Sequence, residues 1–194
     1  MADGARERGK ARRREAILRA AYTLFAERGF EVATIADIAE KAEVSPRTVT
    51  LYFPSKLDLA TSQLAEFTEQ LSAALDEREP GVTTLEALER FLRQDLGGGT
   101  EPAELDVLFD RMLERNPQLR AVTNSRLAEA IQEGARVFAA ERGSDPDAFG
   151  PRIVAAAAAA VVSEVYLHPS EENFETAMAF LAGGISALPD GRRS

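Results

Sequence analysis

The segment Ser45-Pro46-Arg47-Thr48-Val49-Thr50-Leu51-Tyr52 carries one guanidinium, three Ser/Thr hydroxyls and no carboxylate. That set suits the surface of a nucleic acid. Arginine addresses guanine with two parallel hydrogen bonds, while threonine offers a hydroxyl to phosphate and a methyl to thymine. Other chemistries fail on residue type. There is no cysteine, which excludes disulfides, thiolate metal sites and thiol nucleophiles. Gly97-Gly98-Gly99 lacks both a preceding strand pattern and the Gly-Lys-Ser/Thr of a phosphate loop. The sole histidine, His168, stands just before Pro169 and reads as a helix-ending or surface residue. No cluster of ligating residues has a metal-site spacing. No catalytic residue, metal or cofactor is therefore assigned, and the chain is not read as an enzyme.

The segment must be held outward by helices. Ile17, Ala21, Leu24 and Phe25 fall on one helical face, and Gly29 supplies a stop, so a first helix is expected from about Lys10 to Arg28. Thr34, with Asp37 three residues on, caps a second helix burying Ile35, Ile38, Ala39 and Ala42. Ser45 caps a third, with Pro46 at the first helical position, where a missing N–H costs nothing. The turn between them is Ala42-Glu43-Val44, and Ile38 and Ala39 are expected to pack on Val44 and Val49. Two short helices around a tight turn, the second of them capped, form the geometry that seats a helix in the major groove. A fourth helix from Ser55 runs about 20 residues, or about 30 Å.

Charge supports this division of labour. The net charge is −9, yet residues 1–56 hold eleven Lys and Arg against eight Asp and Glu, and the remainder holds twelve against twenty-four. An electrostatic footprint for DNA needs a local basic face, not a basic whole. The polar start from Met1 to Lys10 precedes no apolar signal-type run, which gives a cytoplasmic expectation. The apolar run Ile153 to Tyr166 reads as too short to span a bilayer.

From Arg13 to Leu59 the chain resembles the tetracycline-repressor (TetR) family. The resemblance rests on Ile17, Ala20, Ala21, Phe25, Gly29 and Phe30, then Thr34, Ile38, Ala39, Val44, Ser45 and Thr48, then Tyr52-Phe53, Ser55-Lys56 and Leu59. It implies that Thr34, Tyr52 and Lys56 contact phosphates and that Pro46, Arg47, Thr48 and Thr50 face the groove, with Ser45 at the start of the reading helix. Tyr52 has a second reading as a core aromatic, and Arg12 to Arg14 read either as phosphate contacts or as a solvated face. Three positions depart from the family. Glu43 replaces the turn glycine, where a left-handed backbone is expected. Arg47 and Thr50 replace a small residue and an aromatic.

The expected architecture is all-α with about nine helices: a DNA-binding domain over 1–54, and a ligand-binding and dimerisation domain over 55–194. Further helices are expected at about Thr84–Leu96, Pro102–Arg115, Pro117–Arg142, Pro146–Leu167 and Ser170–Leu188, broken by glycine and proline. The last two, with six alanines from Ala155 to Ala160, are expected to form an intersubunit four-helix bundle. Its interface residues would be Ala158, Val161, Val162, Val165, Phe174, Met178 and Leu181; an intramolecular core is the alternative. Candidate ligand-lining residues are Phe91, Leu105, Leu108, Phe109, Met112, Leu127, Ile131 and Phe138, each of which reads alternatively as plain core.

Met112-Leu-Glu-Arg-Asn-Pro-Gln-Leu-Arg120 and the alanine-rich later helix resemble an actinobacterial subgroup of the family that includes mycofactocin-type regulators. That resemblance implies an apolar or acyl-thioester effector. The composite expectation is a homodimeric repressor that holds a pseudo-palindromic double-stranded operator and is released by a small molecule, with no membrane partner. A non-specific architectural DNA binder is one rival, which calls for basicity throughout the chain, and an activator in place of a repressor is another.

Overall fold

The computed structural model describes residues 2–97 and 102–188. Among these there are nine helices and no strand: α1 (Ala2–Arg28), α2 (Ile35–Lys41), α3 (Pro46–Tyr52), α4 (Lys56–Asp76), α5 (Thr84–Leu96), α6 (Glu104–Arg115), α7 (Pro117–Arg142), α8 (Phe149–Leu167) and α9 (Glu171–Ser186). Gly98, Gly99 and the Arg192-Arg193 tail lie outside the described residues. Most boundaries fall where caps and breakers set them. Ser55 Oγ accepts from the Asp58 amide at 3.0 Å and starts α4. Gly97 ends α5 with φ 59°, a left-handed closure that glycine adopts without steric cost.

Two boundaries differ from expectation. α1 begins at Ala2 rather than near Lys10, because Ala, Arg and Glu dominate this stretch and carry a helix without an apolar stripe. α8 begins at Phe149 rather than Pro146. Asp145 first closes a turn, accepting the Asp147 amide on Oδ1 at 2.9 Å and the Ala148 amide on its carbonyl at 3.1 Å.

The chain forms two compact units. One runs through Leu64 and takes back Ala103–Thr123; the other comprises Ala65–Pro102 and the chain from Asn124 onward. These units do not follow the functional division proposed at residue 54, because α6 and the first turns of α7 pack with the N-terminal helices.

In the first unit Ile17, Ala21, Tyr22 and Phe25 of α1 meet Ile38 and Ala39 of α2, Val49 of α3, Leu59 of α4 and Met112 of α6 in one buried core. Val44 packs against this core, so the two short helices are fixed around their turn as their apolar spacing requires. For part of the candidate ligand list the core matches the plain-core alternative. Met112 is fully buried in it, and Leu105, Leu108 and Phe109 pack against it. These four residues support the reading helices.

In the second unit Leu88 and Leu92 of α5 join Val137 of α7, Val162 and Val165 of α8, and Phe174, Met178 and Leu181 of α9. This corrects the expected interface. Val162, Val165, Phe174, Met178 and Leu181 are interior side chains of their own unit, and Ala158 and Val161 are half-buried beside them. Each of these inward side chains gains from burial, about 1.5–3 kcal/mol for one of leucine size.

The opposite stripe is small or apolar yet exposed: Phe149, Ile153, Ala156 and Ala160 on α8, and Ala179, Phe180, Gly183 and Gly184 on α9. Phe149 is 78% and Phe180 64% exposed. At 19 residues α8 is also longer than the run read from the sequence, and by length and composition alone it meets the requirement for a membrane span. Its inner stripe nevertheless packs in the core of this unit.

Candidate nucleic-acid interface

α3 is seven residues long and rests on Val49, which is fully buried. With that side chain as its foot, the helix presents Ser45, Pro46, Arg47, Thr50 and Leu51 to solvent, while Thr48 and Tyr52 are half-buried. Arg47 makes no side-chain hydrogen bond or ion pair among the described residues, so its five donors are available.

The hydroxyls are differently committed. Ser45 Oγ accepts from the Thr48 amide at 3.1 Å and lies 2.8 Å from Thr48 Oγ1. These two hydroxyls therefore hold the start of the helix. Thr50 Oγ1 donates to the Arg47 carbonyl at 3.1 Å, which leaves its lone pairs and its methyl for an outside partner.

The turn has the backbone that the sequence called for. Glu43, with φ 55°, is the one non-glycine residue in the left-handed region among the described residues. Its amide donates to the Glu40 carbonyl, and the Val44 amide donates to the Ala39 carbonyl at 2.9 Å. The turn is thus closed despite the side chain.

Thr34 forms a capping box with Asp37. Its Oγ1 accepts the Asp37 amide at 3.1 Å, and its own amide donates to Asp37 Oδ2 at 2.9 Å. The threonine hydroxyl also donates to that carboxylate at 2.6 Å. The Asp37 carboxyl is held below the usual carboxylate range, first by the Thr34 side chain and then by the Thr34 amide, with Arg28 adding to this and burial opposing it. A carboxylate this close makes Thr34 a weaker phosphate contact than its exposure alone suggests.

Lys56 requires correction. Its ammonium donates to the carbonyls of Phe30 at 2.6 Å, Glu31 at 3.3 Å and Ala33 at 3.1 Å. It also lies 4.4 Å from the centroid of the Phe30 ring. All three of its protons are used on the α1–α2 loop, so Lys56 straps that loop rather than standing open to a phosphate. Tyr52 packs against the core of the first unit while staying half-exposed, consistent with both of its readings. Arg14 lies 5.3 Å from the Phe53 ring, and Arg12 and Arg13 remain exposed.

Sequence reasoning missed Leu51. It is 81% exposed on the reading helix, beside Thr50, where an apolar side chain suits a thymine methyl. The signal was available: Val49 is the inward position, so Leu51, two residues on, cannot share its face.

The remaining expected ligand residues lie in the second unit. Phe91 stacks edge-on against Phe67 at 5.5 Å, and Phe67 does the same with Tyr166 at 5.5 Å. The Tyr166 hydroxyl donates to Asp95. Phe138 is buried core, Ile131 is half-buried, and Leu127 is exposed. Phe91 thus belongs to a half-buried aromatic cluster, Phe138 to the packed interior, and Leu127 to the surface. No group of three or more residues able to hold a metal ion occurs among the described residues.

Comparisons with known proteins match this geometry. Residues 17–62 match the family described as bacterial regulatory proteins, tetR family, and residues 84–193 match the MftR C-terminal domain. The chain is 34% identical to the HTH-type transcriptional regulator TcmR of Streptomyces glaucescens, over 96% of this chain and 88% of that protein. It is 31% identical to the HTH-type transcriptional repressor KstR of Mycolicibacterium smegmatis, over 55% of this chain and 46% of that one. Its fold is shared with the multidrug binding protein EbrR, solved with malachite green, at 22% identity and a TM-score of 0.58, over 89% of this chain and 97% of that one. A buried three-helix head, an outward capped reading helix and a full-length match to a regulator agree: the chain belongs to the TetR family of bacterial regulatory proteins and is a transcriptional regulator, not an enzyme.

Proposed function

We propose that this regulator is a cytoplasmic, ligand-responsive repressor that grips a pseudo-palindromic operator as a homodimer and leaves it when a small molecule binds. The observation that carries this reading is the rigid mounting of α3: Val49 is wholly buried while Arg47 and Leu51 stand free on the surface. Arg47 reads a guanine, Leu51 and the Thr50 methyl meet thymine, and Pro46 and Thr48 shape the approach. Tyr52 and Thr34 flank this set as backbone contacts. Two such helices enter successive major grooves about 34–36 Å apart.

A second copy covers the exposed stripe of α8 and α9. Phe149, Ile153 and Phe180 supply apolar area, and an added Cβ at Gly183 or Gly184 would meet nothing within 4 Å in the single chain. Helices whose facing positions are this small can approach closely. The acidic charge of the chain beyond residue 56 keeps DNA to the head.

The effector is apolar or an acyl thioester. The half-buried rings of Phe67, Phe91 and Tyr166 support an apolar or flat ligand in the second unit. EbrR, of the same fold, was solved with a dye. Release requires the effector to bind the DNA-free pose more tightly than the DNA-bound pose. α4 is the helix common to both units and the natural carrier of that preference. Selection from random duplexes with the purified protein tests the reading. One enriched two-fold-symmetric sequence, lost with Arg47→Ala, is the expected result. No enrichment, or a specificity ratio near unity, would show a non-specific binder.

A further inference from the structure

Asn116 separates α6 from α7, and every polar atom it has is engaged. Its amide donates to the Met112 carbonyl at 3.1 Å and closes α6, while its carbonyl accepts the Leu119 amide at 2.9 Å and opens α7. The side chain reaches in the other direction. Oδ1 accepts the Phe30 amide at 2.6 Å; Nδ2 donates to the Phe25 carbonyl at 2.9 Å and to the Met112 carbonyl at 2.7 Å. Phe25 and Phe30 lie 91 and 86 residues away in sequence, and Asn116 is 2% exposed. One amide therefore joins the end of α1, the start of the α1–α2 loop and the end of α6. Only one orientation of that amide satisfies all three partners.

A buried polar group this far from any edge is not needed to fill space. An apolar side chain there would leave the Phe30 N–H without an acceptor, at a cost comparable to a lost hydrogen bond. What the group fixes is an angle. From Phe30 the chain passes through Ala33, whose carbonyl is held by Lys56, and enters α2 at Thr34. α2 and α3 are locked together through Ile38, Ala39 and Val49, so a shift of this loop carries both. Asn116 pins the loop at Phe30 and Lys56 pins it at Phe30, Glu31 and Ala33. Base contacts hold only within hydrogen-bond distances of about 2.7–3.2 Å, so a shift of about 1 Å at α3 breaks them.

We propose that Asn116 is a positioning residue for DNA reading: by clamping Phe30 and Phe25 to the α6–α7 corner, it sets the pose of α3 and so sequence discrimination, without touching DNA. The proposal rests on the regulator reading above. It separates two quantities. Non-specific affinity depends on charge and tolerates a tilted head, whereas specific affinity does not.

The test uses the duplex enriched by the wild-type full chain and a random duplex of equal length, at one salt concentration, with the folded active fraction set by stoichiometric titration. Asn116→Ala is expected to lower affinity for the enriched duplex at least tenfold and for the random duplex less than twofold. Unchanged affinities, or equal losses on both duplexes, overturn the proposal. Where Asn116→Ala does not fold, hydrogen exchange at the Phe30 amide of the wild type decides. Slowing of at least tenfold on the enriched duplex and under twofold on the random one supports the clamp, by linkage between clamping and specific binding. Equal slowing on both overturns it. Failure of the wild type to enrich any duplex sinks the regulator reading itself; an enriched duplex bound equally by the variant sinks only the role of Asn116.

Discussion

Replacing Lys56 by methionine separates two roles that the same residue type can play on a DNA-binding head. Methionine keeps a stem of similar length, so packing along the Phe30 ring survives and only the ammonium is removed. That ammonium donates to three backbone carbonyls, of which those of Phe30 and Ala33 are part-buried and that of Glu31 is exposed. A hydrogen bond to a charged group contributes ~1.5–3 kcal/mol net. Water replaces the ammonium at Glu31 but reaches the other two carbonyls poorly. The cation over the Phe30 ring adds ~0.5–1 kcal/mol at a partly exposed site. One ammonium serves all these partners, so the terms do not add fully, and the expected loss is about 2–4 kcal/mol. Against a total stability of about 5–15 kcal/mol that is a large fraction.

Urea unfolding followed by fluorescence at the head reads this loss, and the salt dependence of operator binding supplies the decisive second axis. A lysine on a phosphate contributes about −0.9 to the slope of log K against log salt. A lysine spent on backbone carbonyls contributes stability and leaves that slope alone. Lys56→Met is therefore expected to lower the unfolding midpoint while the folded protein keeps the wild-type slope. A variant as stable as the wild type whose slope falls by about one per head would refute the strap and restore the phosphate contact.

Other substitutions probe the remaining elements. Arg47→Ala should cost ~1–3 kcal/mol of discrimination at one base pair while leaving thermal stability unchanged; equal discrimination by the variant would remove Arg47 from the reading set. Leu51→Ser should relax preference at one A·T pair in the enriched sequence, measured by repeating the selection. Phe180→Asp, on the exposed stripe of α9, should yield monomers in sedimentation at micromolar concentration, whereas Met178→Ala should instead lower stability, by ~2–5 kcal/mol for a buried methionine. Glu43→Gly should stabilise the turn by about 1 kcal/mol, since glycine adopts φ near 55° freely, and unchanged stability would show that the turn is unstrained. Asp37 titrates below its ordinary value in the folded head; its contribution is present above that ordinary value and lost as pH falls through the folded one. Acidification from about pH 6 to about pH 3 should therefore weaken the wild-type head more than Asp37→Asn, as measured by urea midpoints.

Local signals made the head legible. Thr34 with Asp37, Ser45 before Pro46 and Ser55 before Asp58 each announce a helix start through one side-chain oxygen and the amide three residues on, and each is formed. The left-handed turn at Glu43 was legible only through the resemblance, since the family carries a glycine at that position. Lys56 and Asn116 were not legible. Each acts across a gap of more than twenty residues onto backbone atoms, which every residue possesses and which leave no mark in a pattern of side chains. A lysine at a helix start reads equally as a cation for phosphate or for carbonyls, and an Asn-Pro pair reads as a helix break. Only the fold shows that this break is wired to Phe30.

The same limit explains why the expected interface residues on α8 and α9 are interior side chains of their own unit. Both helices carry apolar or small residues on more than one face, so periodicity does not say which face its own chain covers. Val162, Val165, Phe174, Met178 and Leu181 turn inward and fill the interior of the unit. One stripe left outside is alanine and glycine with Phe149, Ile153 and Phe180, while Arg152, Glu164, Glu172 and Glu175 are exposed elsewhere on these helices. A stripe that gains little when buried alone but lets two backbones meet closely has little use on a solitary chain, and three large apolar side chains at its margins have even less. The exposed pattern thus argues for a second copy more strongly than the buried residues did, because a buried residue has already found its partner.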